Sequence, residues 1–282
     1  MQTADWDLII QPEYSWRQNF DLKKIWRYRD LLILLVKRDL VAVYKQTILG
    51  PLWFFIQPLL TTVMFTIVFG NIAKISTGTV PHTVFYMGGL LLWSYFADVV
   101  SKTSEAFITN QNLFSKVYFP RIIVPMSMVI SNLIKLGIQS LMFLGFYLYF
   151  YFKQGLEPNV TLLLFPVYVL MTALLALSFG MIISSLTVKY RDLRFLIGFG
   201  IELLKFAAPI IYTLSEVGEG KFRWLILSNP MSSIIESFKY GCFSEGIFEW
   251  KYLAYSFAFL IVIMFFAIRS FSKVEKKFID TV

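Results

Sequence analysis

The sequence is poor in the residues from which disulfides and transition-metal centres are built. It contains one cysteine, Cys242, and one histidine, His82. An intrachain disulfide needs two cysteines, and structural metal sites depend mainly on several cysteine and histidine ligands. We therefore expect neither a disulfide nor a metal site, and no cofactor held by this chain.

Charged side chains are also scarce. They make up 16% of the 282 residues, whereas hydrophobic residues make up 57% and the mean hydropathy is +0.65. Soluble domains carry about 25% charged residues, and a helix needs about 20 apolar residues to span a bilayer. Several apolar stretches reach that length, and the short alternating segments of a membrane β-barrel are missing. The composition predicts an all-α integral membrane protein.

Motifs of common enzymes are missing as well. The sequence has no HExxH, no GxSxG and no GxxxxGK[ST] loop for ATP phosphates, and the run GEGKF at 218–222 has the wrong spacing. The chain is therefore not expected to be an enzyme. If it takes part in active transport, ATP hydrolysis is expected in a separate chain.

Six apolar segments are predicted to span the membrane within a single domain, 1–282. They are 51–72, 84–101, 122–150, 161–187, 195–214 and 252–269. Residues 21–40 predict an amphipathic helix lying in the headgroup layer, since Trp26 and other apolar residues share one side; a soluble surface helix is the alternative. Segment 215–250 is predicted to form a re-entrant outer hairpin with a helix starting at Asn229 and Pro230, and a plain extracellular helix is its alternative.

The net charge of +8 is explained by membrane orientation better than by nucleic-acid binding. On the six-span prediction, 18 Lys and Arg lie on the side of the two termini and 6 on the other side. Because basic residues favour the cytoplasmic side, both termini are predicted to be cytoplasmic, and no nucleic-acid partner is expected.

Charged candidates inside predicted spans are Lys135 in the third, and Glu202 with Lys205 in the fifth. The spacing of Glu202 and Lys205 places them on one helix face, where they can neutralise each other. A role in substrate passage is the alternative interpretation.

Several stretches, in their order and spacing, resemble the membrane subunit of type-2 ABC exporters of O-antigen, capsular polysaccharide or teichoic acid. The resemblance covers roughly 21–275. Its first stretch runs from Arg38 and Asp39 through LGPLW at 49–53 to Pro58, and its second is Gly88 to Trp93. The others are NLFSKVYFPR at 112–121, Tyr190 to Asp192, and Pro209 and Tyr212 followed by Asn229 and Pro230.

The resemblance implies a homodimer that works with two copies of an ABC ATPase subunit, which would bind ATP and Mg. The cargo would be a lipid-linked glycan, and the location the bacterial inner membrane. The following residues would couple to the ATPase: Asn112, Leu113, Phe114, Lys116, Phe119, Pro120, Arg121, Tyr190, Arg191 and Asp192. The outer hairpin would act as a gate, with Pro209, Tyr212, Asn229 and Pro230 as its matching residues.

Aromatic residues reach 18%, and most are explained as interface anchors of the spans. Because sugar rings present C–H groups that pack on aromatic faces, some of these rings are candidates for lining a polysaccharide channel. The candidates in the first two spans are Trp53, Phe54, Tyr86, Trp93, Tyr95 and Phe96. A type-2 exporter of a drug or lipid is the alternative function. A membrane-embedded transferase or an ion channel is disfavoured, since neither a catalytic cluster nor a filter motif is seen.

Overall fold

A computed structural model of the protein describes residues 22–45, 48–117, 119–190, 192–218 and 220–280, and these ranges contain helices and no strand. Residues 1–21 lie outside the described residues. The helices are α1 (Leu22–Arg27), α2 (Arg29–Tyr44), α3 (Trp53–Phe65), α4 (His82–Ser104), α5 (Ala106–Thr109), α6 (Gln111–Lys116), α7 (Ile123–Gln154), α8 (Phe165–Thr187), α9 (Leu193–Phe206), α10 (Lys221–Ser228), α11 (Pro230–Phe243) and α12 (Trp250–Asp280). A 3-10 turn, Gly50–Leu52, precedes α3, a π-helical stretch, Thr66–Ile72, follows it, and the 3-10 turn Val160–Leu164 precedes α8.

Five helical segments in the described part of the chain are long and apolar enough to cross a membrane. They are Gly50–Ile72, His82–Ser104, Ile123–Gln154, Val160–Thr187 and Trp250–Glu275. The fifth predicted span, 195–214, differs, because α9 has 14 residues and ends at Phe206. A helix of that length covers about 21 Å, less than the ~30 Å hydrocarbon core. Pro209 explains the stop, since proline disfavours helical backbone just before it.

Helix α4 forms the centre of the bundle and packs against α7 and α8. Gly180 of α8 allows the close approach, because a Cβ there would lie 2.5 Å from Cβ of Thr103. About two turns further along α8, the Thr187 hydroxyl donates to the Ser104 carbonyl at 2.8 Å. The ends of α4 and α8 therefore meet on one side of the bundle, which also carries α6 and which we term the α6 end.

The opposite side, termed the α11 end, is built around α11. The Asn229 side chain caps this helix by accepting from the Met231 N–H at 3.1 Å, with Pro230 in its first turn, as the sequence predicts. The helix ends at Phe243, with Ser244 in the left-handed conformation. Gly241 has a packing role, since a Cβ there would meet the Leu162 backbone at 2.8 Å.

The predicted amphipathic helix 21–40 is present as two helices, α1 and α2, separated by a turn at Tyr28. Ile25, Leu35 and Val36 are buried, and α2 packs against α7. Trp26 is 69% exposed. The apolar residues therefore divide between a buried face and an exposed one.

Candidate functional site

A polar cavity of about 170 Å³ lies between α3, α4, α7 and α9, among segments that are otherwise apolar. Its polar lining comes from Gln57, Thr61 and Thr62 of α3, Ser94 and Asp98 of α4, Lys135 and Gln139 of α7, and Glu202 and Lys205 of α9. Polar groups at membrane depth are costly and usually have a function. This cavity is therefore the first candidate site.

Two ion pairs provide the charge of the cavity. Lys135 Nζ donates to Asp98 Oδ2 at 2.6 Å and joins α7 to α4, while Lys205 Nζ donates to Glu202 Oε2 at 2.5 Å within α9. The Lys205–Glu202 pair forms as their i, i+3 spacing predicts, and the structure places both side chains on the cavity wall. The pairs are partly exposed to the cavity, so they remain within reach of a ligand.

Sequence reasoning did not identify Asp98 as a site residue. The available signal was a carboxylate inside an otherwise apolar predicted span, which in membrane proteins commonly has a charged partner. Its partner, Lys135, is 37 residues further along the chain, so only the fold brings the two together.

The six aromatic channel candidates do not form one surface in the described protomer. Trp93 borders the polar cavity, and Trp53 is 40% exposed on α3. Phe96 lines a separate apolar groove next to Trp93. All of the candidates except Trp53 are buried in the protomer, namely Phe54, Tyr86, Trp93, Tyr95 and Phe96. Phe54, Tyr86 and Tyr95 line neither the cavity nor the groove.

The predicted coupling segment forms α6 and the turn after it, at the α6 end. Phe114, expected to be an anchor for the ATPase, is 9% exposed and packs on Phe107 and Phe119 at ring distances of 5.7 and 5.8 Å. Leu113 is half-buried, and Val117 is 51% exposed. The accessible surface of the coupling segment is therefore formed by side chains such as Leu113 and Val117, while Phe114 packs inside the protomer.

The remaining coupling candidates divide between surface and interior. Arg121 is buried, and its backbone N–H donates to Glu275 Oε1 of α12 at 3.2 Å. Phe119 is also buried, and Pro120 is half-buried. Four candidates are exposed, namely Asn112, Lys116, Tyr190 and Asp192. Arg191 lies outside the described residues. The segment is thus tied to the last helix while part of it faces outward.

The four gate candidates surround a turn at the α11 end. Pro209 lies buried in the turn after α9, and Tyr212 follows it, half-buried. Asn229 and Pro230 begin α11 and lie near α12, because the Ser256 hydroxyl donates to the Pro230 carbonyl at 2.7 Å. The structure therefore places all four in the connection between α9 and α12.

An ion pair that the sequence analysis did not single out holds this turn. Glu236 and Lys239 of α11 have side chains that are each 1% exposed, and Lys239 Nζ lies 3.3 Å from Glu236 Oε2. Glu236 Oε1 accepts from the Leu214 N–H at 3.0 Å, and Lys239 Nζ donates to the Tyr212 carbonyl at 3.0 Å. The pair thus fixes the backbone after α9 onto α11.

Comparisons with known proteins identify the family of the chain. Residues 30–243 match the family model described as ABC-2 type transporter. The chain is 28% identical to the O-antigen export system permease protein RfbA of Klebsiella pneumoniae over 254 residues, which cover 89% of this chain and 94% of the relative. It is 29% identical to the protein of that name from Myxococcus xanthus over 264 residues, 93% of this chain and 98% of the relative.

Proposed function

Because the chain belongs to the ABC-2 type transporter family, we propose that it is the permease of an ATP-driven exporter for a lipid-linked polysaccharide of the O-antigen kind. The observation that carries the proposal is the similarity, over nine-tenths of the chain, to relatives named as O-antigen export permeases. The polar cavity within the helical bundle supports it, since a hydrophilic cargo needs polar groups at membrane depth.

The proposed topology has six crossings with both termini in the cytoplasm of the bacterial cell. Helix α9 begins near the α6 end, since it follows Thr187, which is bonded to Ser104. The segment after α9 reaches α11, whose Gly241 carbonyl accepts from the Asn159 N–H at 2.9 Å, at the opposite end. Helix α9 and its turn thus carry the chain between the two ends, with 215–250 as a re-entrant hairpin. The exposed Trp26 supports an interface location for α1.

The proposed partners are a second copy of this chain and two ABC ATPase subunits. A glycan is too long to be enclosed by a cavity of this size, so the route is expected to run between two protomers. The ATPase is expected to dock on the α6 end, where Leu113, Lys116 and Val117 are accessible. The predicted roles of Tyr190 and Asp192 are consistent with this surface, since α5 and α8 contact each other there.

Deletion of the permease gene followed by complementation tests the proposal. Loss of surface polysaccharide with accumulation of lipid-linked glycan inside the cell is expected, together with co-purification of a chain that contains a P-loop. Normal surface polysaccharide in the deletion strain, combined with a defect in drug resistance or lipid export, would favour the alternative cargo. A reporter fused after Val282 should be active in the cytoplasm only.

A further inference from the structure

Two side chains of the polar cavity are buried without a hydrogen-bond partner. Gln139 is 4% exposed and Thr62 is 2% exposed, and both line the cavity. Within the part of the chain that the structure describes, no side-chain hydrogen bond involves the Gln139 amide or the Thr62 hydroxyl. Neither residue has a fully buried side-chain N or O atom without a partner, so the free amide and hydroxyl open onto the cavity. The donor and acceptor of the Gln139 amide can therefore bind a ligand that enters the cavity.

The charge of the lining argues that this ligand is uncharged. Each ammonium of the cavity is bonded to a carboxylate, Lys135 to Asp98 and Lys205 to Glu202. The neighbouring Lys102 is not part of the lining and donates to Asn132 Oδ1 at 2.9 Å. An anion would have to compete with a carboxylate for its lysine, and a cation with a lysine for its carboxylate. A neutral ligand can use the free lone pairs and N–H groups of both pairs.

The lining also combines polar groups with an apolar wall. Trp93, Met87, Leu90 and Met142 border the same space as the amide and the ion pairs. An apolar cavity of roughly 150 Å³ holds benzene, so about 170 Å³ with an open side admits a six-membered ring. A pyranose has C–H groups on its faces and hydroxyls around its rim, and each hydroxyl both donates and accepts. The C–H faces of the ring can therefore pack on the apolar side chains of the cavity, and its hydroxyls can hydrogen-bond the polar ones.

We propose that this cavity is a subsite for an uncharged, polyhydroxylated sugar ring of the cargo, with Gln139 as the side chain that hydrogen-bonds it. The proposal rests on the proposed export function and adds the chemical class that the permease accepts inside the bundle. The Asp98–Lys135 pair is assigned the role of keeping the cavity electrically neutral, so a repeat unit with a fixed charge at this position is disfavoured.

A labelling experiment tests the subsite without relying on export. The Ser94→Cys variant, which places a thiol on the cavity lining and keeps Gln139, is made in a Cys242→Ala background, and the full permease–ATPase complex in lipid nanodiscs is treated with N-ethylmaleimide. Maltoheptaose, a neutral sugar, is expected to reduce labelling at position 94, whereas a hyaluronan oligosaccharide of similar length, which is anionic, is not. Gln154→Cys, at the exposed end of α7, is the matched control and should be labelled equally in all conditions.

Three results of the labelling experiment would overturn the subsite: no protection by maltoheptaose, equal protection at both positions, or protection by the charged oligosaccharide. Because labelling needs no transport, its outcome is separate from the fate of the export function. A deletion strain with normal surface polysaccharide would refute export, while sugar protection at position 94 would still be measurable.

Variants of the Asp98–Lys135 pair test in cells whether export requires an electrically neutral cavity. Export is measured relative to the amount of folded permease. Asp98→Asn and Lys135→Gln each leave one uncompensated charge, and the double variant leaves none. Both single variants should export less than the double variant, and Gln139→Leu should reduce export roughly three- to tenfold, the value of one lost hydrogen bond. If Lys135→Gln alone abolishes export and the double variant does not recover, the site binds an anion and the proposal fails.

Discussion

The buried pair Glu236–Lys239 allows a quantitative test of how the turn after α9 is held. Replacing Lys239 with Met leaves a carboxylate that is 1% exposed with no counter-charge, and Glu236→Gln leaves the ammonium in the same situation. Removing one partner of a buried pair costs about 3–5 kcal/mol. Each single variant is therefore expected to be strongly destabilised.

The double variant, Glu236→Gln with Lys239→Met, should be less destabilised than either single one. The Gln Oε1 can still accept from the Leu214 N–H, so the main remaining loss is the donor to the Tyr212 carbonyl. An unpaired buried carbonyl costs roughly 1–3 kcal/mol. The two substitutions are therefore not expected to be additive, because the second restores part of the stability that the first removes.

The single cysteine provides the assay. Cys242 is 1% exposed, so a thiol-reactive dye reports unfolding of the purified protein on heating. The double variant should have the highest thermal midpoint of the three variants. Glu249→Gln with Lys251→Met removes a more exposed pair and serves as the control, with little change expected. A double variant that melts at or below the less stable single variant would refute the reasoning.

Three further predictions follow from particular contacts. The double substitution Leu113→Asp with Val117→Asp should abolish capture of the ATPase without changing the thermal midpoint of the permease. Phe114→Ala should instead lower the free energy of unfolding by about 3–5 kcal/mol, since its ring is buried. Loss of ATPase capture by Phe114→Ala with an unchanged thermal midpoint would contradict this prediction. Gly180→Ala should cost about 1–3 kcal/mol in thermal denaturation, because its Cβ would overlap α4; an unchanged midpoint would show that the helices separate freely. Trp53→Ala should reduce export per folded molecule and leave stability unchanged, as its ring is exposed; unchanged export would remove Trp53 from the route.

The sequence was sufficient to predict the features that depend on local chemistry. The apolar segments predicted an all-helical membrane protein, and the start of α11 at Asn229 and Pro230 follows from capping preferences. Pro209 and Tyr212 were placed inside the predicted span 195–214, whereas α9 ends at Phe206 and both residues follow it. The sequence stays hydrophobic beyond Phe206, so hydropathy alone does not show where the backbone leaves the helix.

Features that depend on distant contacts could not be obtained in the same way. Phe114 has the pattern of an exposed anchor, and only the position of Phe107, on another short helix, explains its burial. Glu236 and Lys239 are three residues apart and could have been paired from the sequence. Their bonds to the backbone at Leu214 and Tyr212 could not, since these cross more than twenty residues. Burial of aromatic and charged side chains is decided by such packing.

Helix α9 connects the two sites described above. It carries Glu202 and Lys205 on the cavity wall and, eight residues after Glu202, enters the buried turn around Ile210. That turn lies close to α4, since a Cβ on Gly89 would be 3.1 Å from Ile210 Cα, and the ion pair of α11 fixes the following backbone. Because the backbone after α9 is bonded to α11, we expect that substitutions which displace α11 would also shift Glu202 and Lys205 on the cavity wall.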